Sequence, residues 1–143
     1  MPLSNDWTAL NAKVDLMVAN GTTNQTIGLA WGWQALTQGL PMNAPVPKPN
    51  TQLAIVLLTD GMNTENRWTS TQSAIDTRMA LACANAKAAG IVIYTVLVMS
   101  GDSSILQNCA SDAGKYFVVT TASQILSVFA QIGTSLTQLR LSM

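Results

Sequence analysis

Leu53-Ala54-Ile55-Val56-Leu57-Leu58-Thr59-Asp60, followed by Gly61, is the stretch that decides the fold. Six apolar residues in a row, rich in branched side chains, read as a short and fully buried β-strand. The run stops at Asp60, and Gly61 allows a tight turn. In open α/β sheets ligands sit just beyond the carboxyl ends of the strands. Asp60 is therefore a carboxylate held on a rigid element at the place where such folds bind things.

Downstream of this strand the pattern alternates. Met62 to Thr71 is a polar loop. A helix then runs to Ala89, with Ser73 and Asp76 spaced like a capping box. Its apolar stripe is Ile75, Met79, Ala82, Cys83 and Ala86, and Gly90 closes it. Ile91 to Met99 is a second strand, Ser103 to Ala110 a short helix, and Lys115 to Thr120 a third strand. Thr121 and Gln124 open a last helix whose apolar stripe is Ile125, Val128, Phe129, Ile132, Leu136 and Leu139. Strand–helix alternation with right-handed crossovers gives a parallel sheet with helices on both faces, a Rossmann-like α/β fold.

Upstream lie two helical segments. Asp6 to Met17 carries Trp7, Leu10, Val14 and Met17 on one face, with Asn5 or Asp6 as cap and Asn20-Gly21 as stop. The second runs from about Thr26 to Leu36 with Ile27, Ala30, Trp31 and Ala35. The segment 40–50 holds four prolines and reads as an extended connector within one domain, residues 1–143.

Composition excludes several functions. Of 143 residues 48% are apolar and 10% charged, and the formal net charge is zero, which leaves no electrostatic case for nucleic acid or an anionic membrane. The chain has no histidine, which removes the commonest general base and zinc ligand. It carries no phosphate-binding glycine loop, no C-x-x-C and no stretch of membrane-spanning length.

The candidate site joins two loops. One holds Asp60. The other is Thr22-Thr23-Asn24, where a helix begins. A carboxylate with hydroxyls is a hard-oxygen set suited to magnesium, manganese or calcium. Asp60 also has a plainer role open to it, capping a turn, and Thr23 that of a helix N-cap. A metal-dependent hydrolase of phosphatase type using Asp60 is a further reading. Glu65 is its only nearby second carboxylate, and no histidine or phosphate loop supports it. A metal-free structural scaffold is the third. Arg67 and Trp68, in the loop after Asp60, are residue types favoured at contact surfaces. Cys83 and Cys109 read either as small buried core residues or as a disulfide pair.

At these residues the chain resembles a von Willebrand factor type A domain. Gly21-Thr22-Thr23-Asn24 is similar to that family's threonine loop, with Thr23 the better match and Thr22 the runner-up. Thr59-Asp60-Gly61 is similar to its third loop. The segments 21–33 and 57–61, Cys83 to Ile91, Cys109-Ala110-Ser111 and the closing helix from Phe129 to Leu141 resemble Tad-type Flp pilus-assembly proteins. The resemblance implies a non-enzymatic adhesion or assembly module outside the cytoplasm. It would bind protein partners, pilus or envelope components, through a metal-ion-dependent adhesion site, with an acidic side chain of the partner completing the coordination. An oxidising compartment favours the Cys83–Cys109 pair. The family's D-x-S-x-S loop occurs nowhere in these residues. The resemblance therefore implies the carboxyl-terminal part of such a domain, with an incomplete metal site and with the Asp60 strand as an apolar edge prone to self-association.

Overall fold

The computed structural model describes residues 1–99 and 102–138. Its elements in chain order are α1 (Trp7–Asp15), α2 (Gln25–Leu36), β1 (Ala54–Thr59), α3 (Gln72–Ala88), β2 (Val92–Val98), α4 (Ser103–Cys109), a 3-10 turn (Ala113–Lys115), β3 (Tyr116–Val119) and α5 (Ala122–Gln138). The three strands form one parallel sheet in the order β1-β2-β3. Ile55 faces Ile93 across the first pair, and Leu97 faces Val118 across the second. This is the doubly covered Rossmann-like arrangement expected from the alternation.

Two cores flank the sheet. On one face α2, α3 and α4 enclose Leu29, Ile55, Leu57, Met79, Cys83, Ile93, Leu97 and Leu106. On the other, α5 covers β2 and β3, with Val128 and Ile132 against Tyr94, Val96 and Val119. β2 is therefore buried on both sides. Its Thr95, fully enclosed, donates to the Leu106 carbonyl at 3.0 Å, which satisfies the hydroxyl.

β1 departs from the reading of a fully buried strand. Ile55, Leu57 and Thr59 are buried, but Val56 and Leu58 are 36% and 43% exposed. The reason is position. β1 lies at the sheet edge, and α5 sits over β2 and β3 rather than over β1.

Several helical details also differ. The inward face of α2 is Gln25, Leu29, Trp33 and Leu36, while Ile27 and Trp31 are exposed. Gly32 faces β1, where a Cβ would stand 3.6 Å from the Ile55 side chain, an ordinary packing distance. α1 is capped by Asp6 as its sequence suggests, and it ends at Asp15, before Met17. None of its residues is buried. The stripe on α3 is as expected, with Ile75, Met79, Cys83 and Ala86 buried. On α5 Phe129 is 44% exposed, and Leu139 lies outside the described residues, as does the rest of the segment to Leu141.

Cys83 and Cys109 form a disulfide that joins α3 to α4, with Cα atoms 5.1 Å apart across a separation of 26 residues. Both are about 1% exposed, so the bond is part of the core and also a crosslink.

Candidate functional site

The carboxyl end of β1 turns at Thr59-Asp60-Gly61. The Thr59 hydroxyl organises the turn, accepting from the Gly61 amide and donating to the Gly61 carbonyl at 3.3 Å each. Asp60 is thereby relieved of the capping role open to it in sequence. Its carboxylate is exposed and has no hydrogen-bond partner among the described residues.

The loop before α2 is tied to the loop after β1 by a set of bonds that span about 40 residues of sequence. The Thr23 amide donates to the Thr64 hydroxyl at 2.9 Å, and the Thr64 amide to the Thr23 carbonyl at 3.0 Å. The Asn24 side-chain amide donates to the Glu65 carbonyl at 2.9 Å. The Gln25 side-chain amide donates to the Gly61 carbonyl at 2.8 Å. At the centre is Asn63, 2% exposed. Its oxygen accepts from the Gln25 amide at 2.8 Å, and its nitrogen donates to the Asp76 carboxylate at 2.8 Å and to the Met79 sulfur at 3.4 Å. Asp76 is therefore committed to Asn63. No side-chain bond caps α3, and the Ser73/Asp76 capping box does not form.

This stitching places Thr23 beside the Asp60 turn. A Cβ built on Gly61 would lie 3.8 Å from the Thr23 hydroxyl oxygen. The N-cap of α2 is Asn24, whose side chain accepts from the Ile27 amide at 3.2 Å. Thr23 is not the cap, and its hydroxyl is engaged by no hydrogen bond among the described residues. Thr22 is exposed and takes no part in the stitching. Of the two threonines, Thr23 is the one whose hydroxyl lies against the turn at Gly61. Among the described residues the side-chain oxygen of Gln25, a residue only 6% exposed, has no partner, and neither has the buried Thr26 hydroxyl.

Thr23 and Asp60 offer hard oxygens of the kind that hold magnesium, manganese or calcium. Two donors are fewer than such ions take, so further oxygens must come from water or another chain segment. No group of three or more His, Cys, Asp or Glu side chains with metal-binding placement occurs among the described residues.

Arg67 and Trp68 follow in the same loop. The Asn66 side chain accepts from the Trp68 and Thr69 amides at 2.8 and 3.1 Å, and the Asn66 amide donates to the Thr69 carbonyl at 3.0 Å. This holds Trp68 outward, with 73% of it exposed.

Two further carboxylates serve local structure. Asp102 caps α4, and hydrogen bonds from Ser104 hold its carboxyl below the usual range. Asp112 caps the 3-10 turn and pairs with Lys115, which lowers its carboxyl likewise.

A parallel sheet with helices on both faces and polar loops at its carboxyl end is a von Willebrand factor type A-like, Rossmann-type fold. Among the solved structures that share it are three of proximal thread matrix protein 1 from the mussel byssus. Two are at 20% identity, with TM-scores of 0.61 and 0.62, and the third is at 19% identity. They cover 87–88% of this chain, while the chain spans only 27–28% of theirs. One of the three carries zinc in its MIDAS motif. No protein-family model matches the chain, and no curated protein matches it either.

Proposed function

We propose that this chain is part of a non-enzymatic adhesion or assembly module that works outside the cytoplasm and recognises protein partners through a divalent cation. The observation that carries the reading is the paired loops. They carry an unengaged carboxylate, Asp60, and an unengaged hydroxyl, Thr23, which stands against the neighbouring Gly61, on a hydrogen-bonded frame. Such a pair supplies only one negative charge. A bound cation would keep positive charge and open positions, which suit an acidic side chain from a partner. Arg67 and Trp68 form the rim of this site.

The crosslinked core supports a place in an oxidising compartment. No helix among the described residues is long and apolar enough to cross a membrane. The segments similar to Tad-type pilus-assembly proteins make a bacterial pilus or envelope assembly the setting we favour.

The test is titration of manganese, magnesium, calcium and zinc by calorimetry against wild type, Asp60→Ala and Thr23→Ala. Saturable binding in the wild type that both variants lose supports the site. Absence of binding in folded wild-type protein refutes a cation site built from these two loops.

A further inference from the structure

Trp68 is the centre of a cationic cluster that extends beyond its own loop. The Arg67 guanidinium lies 6.0 Å from its ring centre, and that of Arg78, on the second turn of α3, lies at 5.0 Å. Both arginines are exposed, and neither forms an ion pair among the described residues, where Lys115–Asp112 is the one such pair. Asp76, the acidic side chain of α3, is taken up by Asn63, and Glu65, two residues before Arg67, forms no ion pair among the described residues.

Two like charges gathered on one ring repel each other, and the ring only partly compensates them. An anionic segment drawn to the two guanidinium groups would relieve that repulsion. A guanidinium fork pairs with a carboxylate through two parallel hydrogen bonds, and the exposed ring offers an apolar surface alongside. Trp and Arg are the residues that dominate binding energy at protein interfaces. The Asn66 turn fixes the backbone at Trp68 before any partner arrives, which lowers the ordering cost of association.

We infer that Arg67, Trp68 and Arg78 form a docking surface for an acidic, partly apolar protein segment, and that it acts without a metal ion. A polyanion such as nucleic acid needs a longer track of cations than two, and the chain carries no net positive charge. The surface goes beyond the cation site and stands whether or not Asp60 binds metal.

The experiment follows Trp68 emission while a synthetic peptide of Glu, Asp and Leu is added to the full chain in EDTA at low ionic strength. Its neutral counterpart, built from Gln, Asn and Leu, is the control. Trp68→Phe identifies the signal. The expected result is a saturable change with the acidic peptide alone, weakened at least about tenfold in Arg67→Gln/Arg78→Gln, reduced by added salt, and retained in Asp60→Ala. Binding that survives the double arginine variant, that is equal for the neutral peptide, or that requires a divalent cation overturns the inference. So does tighter binding of heparin or DNA than of the peptide. Because EDTA removes the cation and Asp60→Ala removes its ligand, failure here is separable from failure of the cation site.

Discussion

Replacing Asn63 by alanine removes the residue that ties three elements together. In the native chain it serves the Gln25 amide, the Asp76 carboxylate and the Met79 sulfur at once. The Gln25 amide opens α2, where no intrahelical acceptor exists. It is also buried, so leaving it unpaired costs about 1–3 kcal/mol. The bond to Asp76 is charge-assisted, which argues for about 1.5–3 kcal/mol. Asp76 is only half-buried, however, and water can take over part of that bond. Together these give a loss of about 3 kcal/mol, against total stabilities of about 5–15 kcal/mol for domains in general. Urea denaturation with the disulfide intact is the assay. With a slope of about 1.5–2 kcal/mol/M, the midpoint should fall by about 1.5–2 M. Amide exchange at Gln25 should accelerate in step. Asn63→Asp, which sets a second carboxylate against Asp76, should be at least as damaging at neutral pH. A loss below about 1 kcal/mol, or unchanged exchange at Gln25, would falsify the claim that Asn63 holds the two loops in register.

Cys83→Ala/Cys109→Ala removes a crosslink closing 26 residues and should cost about 3.5 kcal/mol in the chain-entropy picture, read as a lower urea midpoint; a change under about 1 kcal/mol refutes it. Stability should be flat from about pH 5 to 8, because there is no histidine to titrate. Asp102 and Asp112 have folded values below the ordinary 3.8. Their small contribution is therefore complete above that value and lost as the pH falls through the folded values, so thermal melts should drop only below about pH 4. Light scattering should show wild-type chain associating through the β1 edge and Leu58→Lys associating less, while a wild-type monomer at high concentration rules this out.

Much of this architecture is visible in the residue pattern, for physical reasons. β2 and α3 are surrounded on the sides their patterns predict, so periodicity alone locates them. Asp6 caps α1 because its carboxylate accepts from a first-turn amide that the helix itself leaves unpaired. The features hidden in the sequence are those set by which element covers which. The apolar run of β1 looks the same whether one face or both are packed, and only the location of α5 leaves Val56 and Leu58 outside. In α2, apolar residues occur all round the helix, so period does not single out Leu29 and Trp33 over Ile27 and Trp31. Asp60 and Thr23 are legible as chemistry. Asn63, which brings their loops together, reads as one more polar loop residue, and its burial follows from bonds to partners far away in sequence.

The Cys83–Cys109 bond has a mechanical meaning as well. β2 lies entirely within the covalent loop it closes. Tension applied along the polypeptide would be carried past β2 through the sulfur bridge, so the central strand could not be drawn out even after β1 and α2 had peeled away. The enclosed residues would otherwise contribute up to about 90 Å of extension. Oxidation keeps that length in reserve, and a reducing environment would release it, making the redox state of one buried bond a control on how far this chain can stretch under load.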